Sequence, residues 1–301
     1  EHFDFAPVVD RIHYLSTPEG GPSTRLEITL GNPTYVGVYY LVNVTIALGL
    51  LGHSLLRPDR QSTPRAVRSR RRRSARGMQH RPATEFETWW RVFWVAVALL
   101  GLWMLFLSGT RGALAGLVVT VMAFSAAYLL WGDAQTVRRG CLAVLGSLLG
   151  LILVVGLVRE TEPVRALAEH SVLLDRIVQT GASDDSLRGR VDSATLGLRG
   201  FLARPVVGWG PENFTVAYDR YLTGDIVGAG TASFDQAHNK VIEELTTKGA
   251  LGFLAYMAIW LYMLKTVVQR ARLQSPHDQI FTLAIGAALA GYFVQNLFLF
   301  D

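Results

Sequence analysis

The chain has 301 residues, 29 Lys+Arg against 24 Asp+Glu, a formal net charge of +5 and 50% hydrophobic residues. Its mean hydropathy of +0.27 would suit a slightly greasy soluble enzyme. The distribution excludes one: six stretches of 16 to 22 residues (36–56, 92–107, 112–132, 140–158, 249–264 and 279–300) are almost free of charge. Each approaches the ~20 residues that a helix needs to cross the hydrocarbon core. Soluble Rossmann, barrel and sandwich folds are ruled out. The predicted fold class is all-α, a polytopic integral membrane protein with about six transmembrane helices. One cysteine, Cys141, excludes a disulfide within the chain. The chain begins Glu-His-Phe in a polar segment without a visible signal peptide and stops at Asp301, directly after an apolar helix. A fragment of a longer protein is therefore expected.

The positive charge is unevenly placed. Eleven of the basic residues, all Arg, fall between Arg57 and Arg91, in the loop joining spans one and two. Arg138 and Arg139 follow span three, and Lys265, Arg270 and Arg272 follow span five. Under strict alternation these three loops share one face, which the positive-inside rule makes the cytoplasm. The chain then divides into an outer-face segment (1–35), four spans with an Arg-rich cytoplasmic loop 57–91 (36–158), a long outer loop (159–248) and two final spans (249–301). The run Arg70-Arg71-Arg72-Arg73 suits nucleic acid or anionic lipid in principle. No aromatic residues interleave it, so a solvated, topology-setting loop is the reading, with membrane lipids and no nucleic acid as partners.

Loop 159–248 carries 10 basic and 13 acidic residues and is too long for a mere connector. Its periodicity predicts helices over 163–179 and 186–204, then a Pro-Val-Val-Gly-Trp-Gly-Pro turn at 205–211. Phe214, Tyr218 and Tyr221 recur at spacings of four and three, as on a helix face resting on the membrane interface. A Gly-rich stretch, 224–230, suits a mobile segment. Asp235 is the expected N-cap of a helix over 236–248 that stops at Gly249.

Three constellations carry candidate chemistry. In Ser108-Gly109-Thr110-Arg111-Gly112, Arg111 is the sole charge between two apolar spans. A guanidinium there either grips an anionic headgroup such as a lipid diphosphate or snorkels as an interfacial arginine. Arg188-Gly189-Arg190 opens a predicted helix, where amides and guanidiniums together suit an anion. The alternative is a solvated pair facing Asp184 and Asp185. In Asp235-Gln236-Ala237-His238-Asn239-Lys240, His238 is expected in the first turn of a helix at the outer surface. Its near-neutral titration suits a general base, although a lone histidine is more often structural. Asp235 lies one turn earlier and is placed to orient the ring, with Glu243 and Glu244 on the same helix. No His-x-x-x-His or Cys cluster supports a metal. Gly208-x-Gly210 lacks the third glycine and the preceding strand of a dinucleotide fingerprint, and reads as a turn.

Together these motifs resemble the O-antigen ligase and Wzy-type polymerase superfamily of bacterial membrane glycosyltransferases. Arg25 to Tyr40, with Gly31-Asn32-Pro33, resembles the segment that opens a central span in that family. Leu107 to Ala113 resembles its Ser-x-Ser-Arg-Gly motif, with Thr110 for the second serine. Arg190, Pro205 and Gly208-Trp209-Gly210-Pro211-Glu212-Asn213-Phe214 resemble its large periplasmic loop, although Ala194 stands where the family usually has Trp. Phe234 to Asn239, followed by Gly249-Ala250-Leu251-Gly252, resembles its His-Asn motif and next span. The resemblance implies a longer protein of roughly ten to twelve ~20-residue spans in the bacterial inner membrane, with a periplasmic active site. It implies an undecaprenyl-diphosphate-linked glycan donor and a lipid A-core, glycan or protein acceptor. Arg111 and Arg190 would hold the diphosphate, with Arg188, Asp235 and Asn239 in the substrate site, and His238 would orient or deprotonate the acceptor hydroxyl. No metal and no cofactor are expected. Two rival classes remain: a transporter or flippase of lipid-linked glycans, disfavoured by the near absence of acids and repeats in the spans, and a non-catalytic scaffold or sensor.

Overall fold

The computed structural model describes residues 15–16, 22–23, 33–56, 85–158, 161–162, 164, 185–222 and 236–297. Within them lie α1 (Pro33–Leu56), α2 (Glu85–Leu107), α3 (Arg111–Trp131) and α4 (Gln135–Val158). The long loop contributes α5 (Asp185–Ala203) and the short α6 (Phe214–Tyr221), and α7 (Lys240–Leu273) and α8 (Pro276–Asn296) follow. Strand pairing among the described residues is confined to a two-residue antiparallel ladder of β1 (Leu15–Ser16) and β2 (Pro22–Ser23). The helix expected over 163–179, the Arg run and the Gly-rich stretch lie outside the described residues.

Among the described residues, five helices, α1 to α4 and α7, are long and apolar enough to cross a membrane. The sixth expected span forms α8, whose 21 residues begin with Pro-His-Asp-Gln and end with Gln-Asn. Those polar ends lower its apolarity. It occupies the centre of the bundle, packed on α1 and α3, with α7 beside it. Its inward stripe is Ile280, Leu283, Ala284, Ala287, Ala288 and Gly291. Small residues allow close approach here: a Cβ on Gly116 of α3 would sit 2.8 Å from the Gly291 carbonyl oxygen. Such contacts replace the hydrophobic effect as the cohesive term between helices in lipid. By contrast, α4 buries Cys141 alone and exposes Leu142, Leu149, Leu151, Leu153 and Leu157. An apolar face of that extent is at home against acyl chains. The protein is a polytopic, all-helical membrane protein.

Side-chain ties identify the two ends of the bundle. At one end, Gln279 Nε2 donates to the carbonyls of Trp131 and Ala271, both at 2.9 Å, joining α8 to the last turns of α3 and α7. Arg91 Nη2 of α2 donates to the Ser54 carbonyl of α1 at 3.1 Å. Arg138 Nη1 donates to the Leu129 and Gly132 carbonyls. At the other end, a Cβ on Gly112 would meet Gln295 Oε1 at 2.6 Å, and one on Gly37 would overlap Thr110 and Ala113. The starts of α1 and α3 and the end of α8 therefore converge there, with Arg111 among them.

Candidate functional site

The 205–211 turn forms as its Gly and Pro content predicts, and the fold gives it a structural task. The helix from Lys240 breaks at Gly249 (φ 65°, ψ −169°) and resumes into the membrane span. A break strands carbonyls before it and amides after it. The turn satisfies both. Trp209 N–H donates to Thr246 O (3.1 Å) and Gly210 N–H to Thr247 O (2.7 Å), while Ala250 N–H and Leu251 N–H donate to Pro205 O (2.8 Å) and Val206 O (3.2 Å). A Cβ on Gly208 (φ +70°) would sit 2.5 Å from the Thr247 carbonyl, and one on Gly249 would overlap Val206 O. Trp209 braces the turn: its Nε1 donates to Gly200 O at 2.8 Å, and the Arg204 guanidinium lies 4.2 Å from its ring centroid.

The aromatic helix face is placed differently from expectation. Phe214 and Tyr218 do not rest on the membrane interface. They are buried with Leu196 and Ala237 as the core of the long loop, and Tyr221 packs against that cluster. Inside this small domain the same periodicity serves a helix-to-helix contact, because α5 offers Gly197 and Gly200 where α6 and α7 approach. Burial pushes the Tyr218 phenol above its usual range, and Asp192 and Asp219 add to the effect.

The stretch before α7 is held from three sides. Asn239, not Asp235, is the N-cap: its Oδ1 accepts from Val241 N–H (3.0 Å) and Ile242 N–H (3.2 Å). Asparagine is among the best caps, and this moves the helix start four residues past the predicted one. Asp235 lies outside the described residues. His238 consequently sits two residues before the helix, not in its first turn, with a left-handed backbone (φ 51°). A non-glycine residue there is uncommon and is held by its surroundings. Glu243 Oε2 accepts from Ala237 N–H at 2.9 Å, and Ser193 Oγ of α5 donates to Gln236 O at 3.1 Å. Next to Glu243, Glu244 is 3% exposed and bound by Lys240 Nζ (3.0 Å) and Lys248 Nζ (2.7 Å). Burial raises its carboxyl pKa, but the hydrogen bonds from Lys248 and Lys240 outweigh burial and hold it below the ordinary carboxylate value.

His238 opens into a pocket of about 360 Å³ at the end of the bundle where α1 and α3 start. Gln236, Asn239, Lys240 and Glu243 line its loop side. Tyr35 of α1, Tyr256 and Trp260 of α7, and Tyr292 and Asn296 of α8 line its membrane side. Trp260 is packed edge-on between Tyr256 and Phe293. The sequence reading chose His238 and Asn239 as site residues, with Gln236, Lys240 and Glu243 named beside them, and missed the five from the membrane helices. Tyr256/Trp260 and Tyr292/Asn296 each recur at four-residue spacing near the ends of spans, a legible signal, but nothing local says that the two pairs meet.

The predicted Arg111 and Arg190 are not among the residues that line this pocket. Arg111 is the first residue of α3, half-buried, after a tight turn at Gly109 (φ 58°) in which Ser108 Oγ and Thr110 Oγ1 lie 3.1 Å apart. Its neighbour Gly112 faces Gln295, one residue from Asn296 of the pocket wall. Arg190 is half-buried on α5, one turn before Ser193, and so shares the face that packs on Gln236. Because α5 starts at Asp185, Arg188 and Arg190 stand in its first two turns rather than at its opening residue. The Arg188 side chain is outside the described set. The arrangement offers a titratable imidazole, amide and phenol hydrogen-bonding groups, aromatic faces and nearby fixed positive charge. No metal-capable group of three His, Cys, Asp or Glu residues includes His238 among the described residues.

No curated protein matches the chain. The family model for O-antigen ligase matches residues 96–257, more than half of its length. That match runs from within α2 through the Arg111 turn, the long loop and His238 to the first half of the kinked helix α7. With a helical membrane bundle carrying these motifs in that order, the chain belongs to the O-antigen ligase family, whose members are glycosyltransferase-like enzymes.

Proposed function

We propose that this protein transfers a glycan from an undecaprenyl-diphosphate carrier to an acceptor hydroxyl at the periplasmic face of the bacterial inner membrane, as an O-antigen ligase. The observation that carries the reading is His238, in a left-handed conformation, opening into a pocket where loop and membrane helices meet. A lipid-linked donor needs such a site, because its sugar is aqueous and its tail is in lipid. The positive-inside rule puts the basic end, with Arg91, Arg138, Arg270 and Arg272, in the cytoplasm and the pocket opposite.

In the proposed reaction the His238 imidazole accepts the acceptor hydroxyl proton as the oxygen attacks the anomeric carbon. The bond from that carbon to the diphosphate breaks, and undecaprenyl diphosphate leaves with the electron pair. Arg111 and Arg190 hold the diphosphate and balance the charge it gains, with Arg188 beside them. The positive charge they supply makes a metal dispensable. Asn239 spends its carbonyl oxygen on the helix cap, so its share in binding falls to its amide group, and its main work is to fix His238. Asp235 remains in this proposal as a substrate-site residue.

The test is transfer in membranes supplied with a defined undecaprenyl-diphosphate glycan and lipid A-core, glycan or protein acceptors, with product identified by mass. Arg111→Ala, Arg190→Ala and His238→Ala should each abolish transfer while the protein remains in the membrane. Wild-type transfer by all three overturns the reading. Flux of the lipid-linked glycan without any acceptor product favours a transporter.

A further inference from the structure

At the end of the bundle opposite the pocket, α1 and α8 bring together side chains that are 224 positions or more apart in the chain. His53 Nε2 lies 3.2 Å from Asp278 Oδ1, and His277 Nε2 lies 3.4 Å from Asp278 Oδ2. The two imidazole centroids are 5.3 Å apart. One ligand-capable atom from each of the three residues falls within 4.8 Å of the others. We propose that His53, His277 and Asp278 form a binding site for a divalent transition ion of the Zn²⁺ type, clamping the last turn of α1 to the first turn of α8.

Three features favour an ion over a simple hydrogen-bonded tie. First, a tetrahedral ion with bonds of about 2.0–2.1 Å holds neighbouring ligand atoms about 3.3–3.4 Å apart. His53 Nε2 meets Asp278 Oδ1 and His277 Nε2 meets Oδ2 near that spacing, so a turn of the carboxylate to present one oxygen and a closing of the two imidazoles complete the set. Second, the donor set of two imidazoles and one carboxylate is a known zinc combination that leaves a fourth position for water. Third, an outer shell is in place. Ser275 Oγ donates to Asp278 Oδ2 at 2.7 Å and lies 2.9 Å from His277 Nδ1. The same hydroxyl lies 3.4 Å from His277 Nε2, against the ring edge between the two nitrogens. The side chains of His53 and His277 are 19% and 23% exposed and that of Asp278 is 47% exposed, so an ion can reach them.

The experiment uses the whole chain, purified in detergent and dialysed against Zn²⁺ with a competing chelator, with Co²⁺ as a spectroscopic probe. One equivalent of Zn²⁺ is expected, and Co²⁺ should show the intense visible bands of four-coordination. His53→Ala and His277→Ala should lose binding at least tenfold, Ser275→Ala about tenfold as an outer-shell change, and His238→Ala not at all. Zn²⁺ should raise the unfolding midpoint of the wild type and of His238→Ala but not of His53→Ala. Should an alanine variant fail to fold, His277→Cys keeps a ligand and should add a thiolate-to-Co²⁺ charge-transfer band. No retained Zn²⁺ in the wild type, or equal retention by His53→Ala and His277→Ala, overturns the proposal. So does destabilisation by these variants without any Zn²⁺ effect, which would leave only a hydrogen-bonded tie.

Discussion

Replacing Gly249 by alanine probes how the long loop is joined to the membrane bundle. At φ 65° and ψ −169° the residue occupies a region that L side chains rarely adopt, at a cost on the order of 1–3 kcal/mol. The new methyl would also overlap the Val206 carbonyl and crowd Val207 N, both backbone atoms that cannot swing aside. Relief requires the 205–211 turn to move off the break, which loosens the hydrogen bonds from Ala250 and Leu251 to Pro205 and Val206. Two such bonds contribute about 0.5–1.5 kcal/mol each. The expected penalty is therefore about 2–6 kcal/mol for docking the loop, roughly 30-fold or more in the equilibrium for local opening. Amide hydrogen exchange reads this directly: Trp209, Gly210, Ala250 and Leu251 should exchange faster in Gly249→Ala by that factor, and glycan transfer should fall with them. Gly146→Ala is the control, because a Cβ there meets nothing within 4 Å in the middle of α4. Wild-type protection of these four amides in Gly249→Ala would refute the account of the splice.

Other substitutions test neighbouring parts of the same argument. Phe214 is fully buried in the loop core, so Phe214→Ala should cost about 3–5 kcal/mol and shift thermal unfolding of the loop, whereas an aromatic resting on the membrane surface would lose only lipid affinity. Asn239→Ala should cost about 1 kcal/mol through the lost cap and reduce transfer, while Asn239→Ser, which keeps a capping oxygen, should recover most of both. The depressed carboxyl of Glu244 gives stability that is complete above its ordinary value of 4.5 and declines as pH falls through the lower folded value. Acid titration of wild type against Glu244→Gln, followed by loop amide exchange, should show that pH-dependent loss in the wild type only.

The spans were legible because lipid demands long uncharged runs, and α1 to α4 and α7 fall where those runs lie. The helix over 185–203 and the Gly-Trp-Gly turn were legible for a similar local reason: periodicity and backbone permissiveness are written in neighbouring residues. Misreadings arose where a local signal had two tertiary outcomes. The spacing of Phe214, Tyr218 and Tyr221 specifies an apolar face but not its neighbour, and α5 supplied a protein surface in place of lipid. Asp235 and Asn239 are both competent caps, and the choice fell to Asn239, with Glu243 holding the Ala237 amide beside it.

Sequence alone determined the fold class, the five long apolar spans, the long loop between them and the choice of Arg111, Arg190 and His238 as candidates, since each depends on composition or short-range pattern. Tertiary structure alone decided that α8 is central, that Tyr35, Tyr256, Trp260, Tyr292 and Asn296 wall the His238 pocket, and that His53 meets His277 and Asp278. Those groupings join residues from helices far apart in the chain. They depend on which faces interlock, a collective result of small-residue contacts such as Gly116 on Gly291, and no single segment encodes it.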